Sequence, residues 1–153
     1  GQENERDGNT IARCQESFAA LADLGEEYGV KVMIENHGGV SSNASAVRYL
    51  IAAINSPWVG TVPDFGNFSD ETRYEDLETV MPYAVAVHAK TKEFDKDGAH
   101  TSWDLERCLE ITRAAGFNGP LSIEFEGPIG GEGQPKDEFE GIVWSRKAIE
   151  ALT

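Results

Sequence analysis

Residues 121–127 read LSIEFEG. Leu121, Ile123 and Phe125 alternate with Ser122, Glu124 and Glu126, and a period of two marks a β-strand with one apolar and one polar face. The polar face ends in carboxylates just before Gly127, where a loop must begin. The same design returns upstream. AVAVHAK at 84–90 sets Val85 and Val87 against His88 and Lys90, and KVMIEN at 31–36 sets Val32 and Ile34 against Glu35. A further strand near 60–64 ends in Asp64, within PDFGN at 63–67.

A helix is expected after each strand. The first runs from about Ala44 to Asn55 with Val47, Leu50, Ile51 and Ile54 on one stripe, and Pro57 ends it. The second bears Tyr74, Leu77 and Val80. The third carries Leu105, Cys108, Leu109 and Ile111, with Ser102 as the expected cap and Gly116 as the stop. The fourth follows Asp137 and carries Phe139, Ile142, Val143, Ile149 and Leu152. Ahead of them all, Ile11, Cys14, Phe18, Leu21, Leu24 and Tyr28 recur at helical steps, with Asn9 or Thr10 as the cap and Gly29 as the stop.

One helix followed by four strand-helix units implies parallel strands joined by right-handed crossovers. A doubly wound sheet would have both strand faces apolar. Here one face packs on helices and the other carries ionisable groups at the C-terminal ends, as in a (β/α)8 TIM barrel. Such a barrel needs eight strands and typically ~250 residues; this chain has 153 and supplies four strands. The expectation is one α/β domain over 1–153, half of a TIM barrel. A second copy, as a homodimer, or a missing N-terminal half would complete it, because unpaired outer strands are a liability.

Composition narrows the partners. With 27 acidic against 13 basic residues the formal charge is −14, which opposes binding to nucleic acid or to an anionic membrane. No stretch approaches the ~20 apolar residues of a membrane span, and the polar start GQENERDGNT lacks a signal-peptide core. Cys14 and Cys108 sit on apolar helical stripes and call for no disulfide. A soluble, cytoplasmic protein is expected.

Glu35, Asp64, His88 and Glu124 recur at strand ends at intervals near the ~30 residues of a strand-helix unit. Singly, each reads as readily as a solvated loop residue or a helix cap. Together, three carboxylates and one imidazole at matching places describe a site for a divalent metal. Oxygen ligands with a single imidazole suit Mn²⁺ first, with Mg²⁺, Co²⁺ and Zn²⁺ tolerated. An ion with open coordination positions would take substrate oxygens.

These motifs, IENHGG at 34–39, PDFGN at 63–67, VHAK at 87–90 and SIEFEG at 122–127, resemble the C-terminal half of the xylose isomerase-like TIM-barrel superfamily. That superfamily holds the sugar (phosphate) isomerases and epimerases, inosose dehydratase and an AP endonuclease branch. The resemblance implies that Glu35, Asp64, His88 and Glu124 ligate the ion and that Glu35 and Glu124 form the acid/base pair. The chain departs from the family's Asp-x-x-His, because Asn67 stands where the histidine would be. An amide hydrogen-bonds a substrate hydroxyl but donates no proton as imidazolium does. The change counts against further metals and against endonuclease activity.

His37 either meets substrate or serves the turn, and Lys90 either binds substrate or is a solvated loop lysine. Glu126 either supports the ligands from outside or, as is more usual, is a rim glutamate facing water, and Trp58, Trp103 and Trp144 either stack on sugars or, by default, pack in the core. The GGEG run at 130–133 lacks the GK[ST] of a phosphate loop. The function expected is a metal-dependent isomerase or epimerase on a small sugar or polyol-derived keto substrate, with His37, Asn67 and Lys90 as substrate contacts. A dehydratase or lyase of the inosose dehydratase kind is the alternative chemistry, and an inactive half-barrel that keeps the metal site is the alternative class.

Overall fold

The computed structural model describes residues 2–153, with side chains from residue 9 onward. Helices and strands alternate as α1 (Gln2–Tyr28), β1 (Val32–Glu35), α2 (Ala44–Ile54), β2 (Val59–Val62), α3 (Arg73–Val80), β3 (Val87–Thr91), α4 (Leu105–Ala114), β4 (Leu121–Phe125) and α5 (Glu138–Glu150). This is a partial TIM barrel: four parallel strands with helices along one side.

Two expected helix starts are corrected. Asn9 and Thr10 lie inside α1, whose lead contains no proline to stop the helix; the Asn9 amide oxygen accepts from Arg13 Nε one turn on, at 3.3 Å. Ser102 does not cap α4. Its Oγ accepts from the Glu93 N–H at 3.1 Å, and Asp104 accepts from the Arg107 N–H instead. Asn43 and Asp137 cap α2 and α5 in the same way. Asn55 closes α2 in the left-handed conformation, at φ 47°.

Between helices and strands, Val47, Leu50 and Ile51 of α2, Leu77 and Val80 of α3, and Leu105, Cys108 and Leu109 of α4 meet Ile34, Val59, Val87 and Ala89 in one buried cluster. Full burial of such a side chain is worth about 1.5–3 kcal/mol. The Cys108 thiol, pushed up to about 12 by burial, is an inert packing group.

The strands pair in register from Val32↔Val59 to Glu35↔Val62 and from Val87↔Leu121 to Thr91↔Phe125. The β2–β3 seam is thinner, with bridges Thr61↔Ala84 and Asp64↔His88 alone. Three steps on one side face four on the other, so one residue bulges before β3. Pro63, which has no N–H, interrupts the ladder at the same point. The strand expected over 84–90 is thereby shortened: Ala84 forms an isolated bridge and Val85 lies in a bend.

Among the described residues, β1 pairs only with β2 and β4 only with β3. Apolar side chains stay exposed near both outer edges: Leu21, Leu24, Tyr28, Val30 and Met33 around β1, and Ile129, Phe139 and Ile142 around α5. The α5 stripe is therefore only partly packed. It meets β4 through Gly141, where any Cβ would overlap the Phe125 ring, and β3 through Ser145, whose Oγ lies 2.6 Å from Thr91 Oγ1. No helix among the described residues is long and apolar enough to cross a membrane.

Candidate metal centre

Parallel strands bring their C-terminal ends to one rim, and the rim gathers the four residues expected there. Glu35 closes β1, Asp64 lies just beyond β2, and His88 and Glu124 belong to β3 and β4. One ligand atom from each lies within 4.8 Å of the others.

Backbone and side-chain ties fix this convergence at each seam. Asn36, buried beside Glu35, donates from Nδ2 to the Asp64 carbonyl at 3.0 Å and accepts the Asp64 N–H on Oδ1 at 2.7 Å. Its amide thus supplies the ladder rung after Glu35↔Val62 and locks the strands carrying Glu35 and Asp64 together. Across the next seam the His88 N–H donates to the Pro63 carbonyl at 2.9 Å, and the Phe65 N–H donates to the His88 carbonyl at 3.1 Å. On the far side Lys90 is paired with Glu124. Arg73, buried on α3, donates to the Phe65 carbonyl at 2.7 Å and lies over the Trp103 ring at 4.7 Å, so the loop after Asp64 is held from beneath.

Sequence reading missed Asn36 and Arg73. The signal was present: each is a polar residue at an apolar position, Asn36 in step with Val32 and Ile34, Arg73 in step with Leu77 and Val80. A polar group on a buried face must find partners.

His88 Nδ1 lies 3.2 Å from Glu35 Oε1 and 3.6 Å from Glu124 Oε2. Asp64 Oδ1 accepts the Gly66 N–H at 2.7 Å. Asp64 Oδ2 and Glu124 Oε2 are buried with no hydrogen-bond partner. Burial, with the close approach of Glu124, pushes the Asp64 carboxyl up to about 7. Burial acts on Glu124 in the same sense, but Asp64, Lys90 and His88 outweigh it and hold Glu124 below its ordinary value. Two buried carboxylate oxygens without donors, next to an imidazole and a third carboxylate, form a set that a divalent cation fits.

Of the three expected substrate contacts, His37 is exposed on the loop after β1, where its backbone N–H donates to Ser41 Oγ at 2.9 Å. Asn67 Oδ1 accepts from Lys90 Nζ at 2.9 Å. Lys90 is fully buried, and its ammonium faces the carboxylates: Glu126 at 3.1 Å, Asp64 and Glu124 at 3.5 Å each. Burial opposes its charge, yet these carboxylates raise its pKa above the ordinary lysine value. Glu126, expected to be a plain rim residue, is thus engaged as a partner of Lys90. A polar cavity of about 600 Å³ opens beside the centre, lined by Gly66, Ser69, Arg73, Lys92, Trp103 and Glu126 among others.

Solved structures share this architecture. Xylose isomerase domain protein from Planctomyces limnophilus matches with TM-score 0.68 and 18% identity, over 92% of this chain and 51% of its own. D-psicose 3-epimerase from Clostridium cellulolyticum H10, solved with D-tagatose, matches with TM-score 0.67 and 16% identity, over 93% and 55%. The E. coli 3-keto-D-glucoside 4-epimerase in apo form matches with TM-score 0.65 and 16% identity, over 93% and 52%. The chain therefore spans about half the length of these relatives. No curated protein matches it by sequence. The description of the xylose isomerase-like TIM barrel matches residues 1–148, nearly the whole chain, and the protein belongs to that family.

Proposed function

We propose that this chain is the metal-holding half of a divalent-metal-dependent sugar isomerase or epimerase acting on a small sugar or polyol-derived keto compound. The observation that carries the reading is the convergence of Glu35, Asp64, His88 and Glu124 within 4.8 Å, with two buried carboxylate oxygens lacking donors. Mn²⁺ suits this donor set best. When bound, the ion supplies Lewis-acid polarisation of a substrate carbonyl, which acidifies the neighbouring carbon.

Glu35 and Glu124 lie on either side of His88. One removes the proton beside the carbonyl and the other returns a proton to the opposite face. Asp64 has one oxygen committed to the Gly66 N–H and serves as an anchor. His37 and Asn67 offer polar contacts to substrate hydroxyls, whereas Lys90 approaches from behind the ligands and acts on them. The sugar epimerases among the similar structures support the substrate class. The charge of −14 supports a small molecule over nucleic acid.

The missing four strands come, in this reading, from an N-terminal half or a second copy closing over the exposed edges. The test is deuterium exchange: the completed barrel, loaded with Mn²⁺, is offered a panel of ketoses in heavy water. Deuterium entering the carbon beside the carbonyl, and lost in Glu35→Gln and Glu124→Gln, is the expected result. An unsaturated product with loss of water would assign a lyase. Metal retention with neither outcome would overturn the enzymatic reading.

A further inference from the structure

Lys90 is the one charged group of the centre that the proposed proton transfer leaves without a task. Its side chain is wholly buried, a state in which an ammonium persists only when paired. The stem reaches the centre past Gly66, where a Cβ would come within 2.6 Å of Lys90 Cδ and 2.7 Å of Trp103 Cη2. Glycine at 66 therefore leaves the space this lysine fills. Its Nζ then stands 3.5 Å from both Asp64 Oδ2 and Glu124 Oε1, two of the candidate ligands. Glu126 also pairs with it, but at 45% exposure that carboxylate is largely screened by water.

Three ligand carboxylates carry a charge of −3 when ionised, and Lys90 reduces it to −2. A divalent ion then closes the balance, whereas a trivalent ion leaves one positive charge uncompensated next to a buried ammonium. We infer that Lys90 is the residue that makes this centre select divalent over trivalent cations. The inference rests on the metal-site reading above and deepens it. The repulsion between a fixed charge and an ion scales with the charge of the ion. Losing Lys90 therefore favours a trivalent ion more than a divalent one, whatever the loss does to site shape. Both ions need the same ligands, so distortion largely cancels in the ratio of their affinities.

The experiment measures that ratio for Mn²⁺, by calorimetry, and Tb³⁺, by its luminescence, in a charge ladder. The native protein is compared with Lys90→Met, with Glu126→Gln and with the double variant. Lys90→Met is expected to shift the ratio toward Tb³⁺ by roughly a hundredfold, the effect of one unit charge about 6 Å away at an effective dielectric near 20. Glu126→Gln, at a carboxylate largely screened by water, moves it the other way by much less, and the double variant stays close to Lys90→Met. Where Lys90→Met does not fold, Lys90→Gln, neutral and able to hydrogen-bond the same carboxylates, takes its place. An unchanged ratio in a Lys90 variant that binds both ions overturns the inference. Failure of the native protein to bind either ion sinks the metal-site reading itself, and is distinguishable from the first failure.

Discussion

The centre of the rim and the outer edges of the sheet are completed to different degrees. At the centre, Asn36 clamps the Asp64 backbone, Asp64 bridges His88, and Lys90 pairs with Glu124. Each of these ties joins residues of this chain. At the edges, β1 and β4 lack a second neighbour among the described residues, and Tyr28 and Phe139 are 71% and 81% exposed. An open strand edge beside apolar side chains is the kind of surface that further strand pairing would cover. The ligand geometry and the closure of the barrel are thus separable, and substitutions that affect one need not affect the other.

The largest expected effect breaks the centre and spares the edges. Asp64→Asn removes a buried carboxylate from the candidate metal set and should lower Mn²⁺ affinity by more than the roughly 10–100-fold typical of residues that merely support a ligand. Equilibrium dialysis with a folding control reads this. Asn36→Ala comes next. It leaves the Asp64 N–H and carbonyl without their side-chain partner and should cost about 2–4 kcal/mol in urea unfolding, since each orphaned buried group costs about 1–3 kcal/mol. A loss of about tenfold in Mn²⁺ affinity should accompany it. Loss of stability with unchanged metal affinity would mean that Asn36 supports the sheet without aiming Asp64.

A third effect depends on pH. In the metal-free protein the folded Asp64 carboxyl keeps its proton up to about 7, against 3.8 ordinarily. Between those values the native state binds more protons than the unfolded one. This contribution to stability is therefore full below pH 3.8 and is lost as pH rises toward about 7. The smaller lowering of Glu124 works in the opposite sense. Urea midpoints measured across this range with a chelator present should fall more steeply in the native protein than in Asp64→Asn. Equal slopes would remove Asp64 as the source.

What was legible in the sequence follows the same division. The alternation in LSIEF defines β4 to the residue, over Leu121–Phe125, because strand parity is a local signal. The convergence of Glu35, Asp64, His88 and Glu124 was legible because parallel strands place like positions on one rim. Asn36 and Arg73 were not found, since what they do depends on partners across the fold: Asn36 meets a backbone 28 positions away. The β2–β3 bulge escaped because one inserted residue leaves the apolar content of 84–90 unchanged while moving its register. Ser102 and Asp104 are both capable caps two positions apart, and only the pairing of Ser102 with the Glu93 N–H separates them. The stripe of α5 was read correctly as apolar, but a stripe does not say what covers it.

That last point carries the smallest prediction and the sharpest use of the comparison. Phe139 sits on the first turn of α5 and is 81% exposed, so Phe139→Ser removes little buried contact. Its effect on urea unfolding of the 153-residue chain should stay within about 0.5 kcal/mol, as for surface substitutions generally. Mn²⁺ affinity should be unchanged, because none of the ties around Asp64 involves α5. If this side chain belongs to the closing interface, the same substitution weakens association of the chain with the piece that completes the barrel, read by sedimentation or by titration of the two parts. The contrast between a silent effect on the chain and a measurable one on assembly is what identifies an interface residue. A substitution equally silent in both would take Phe139 out of the interface and leave closure to the edge around β1.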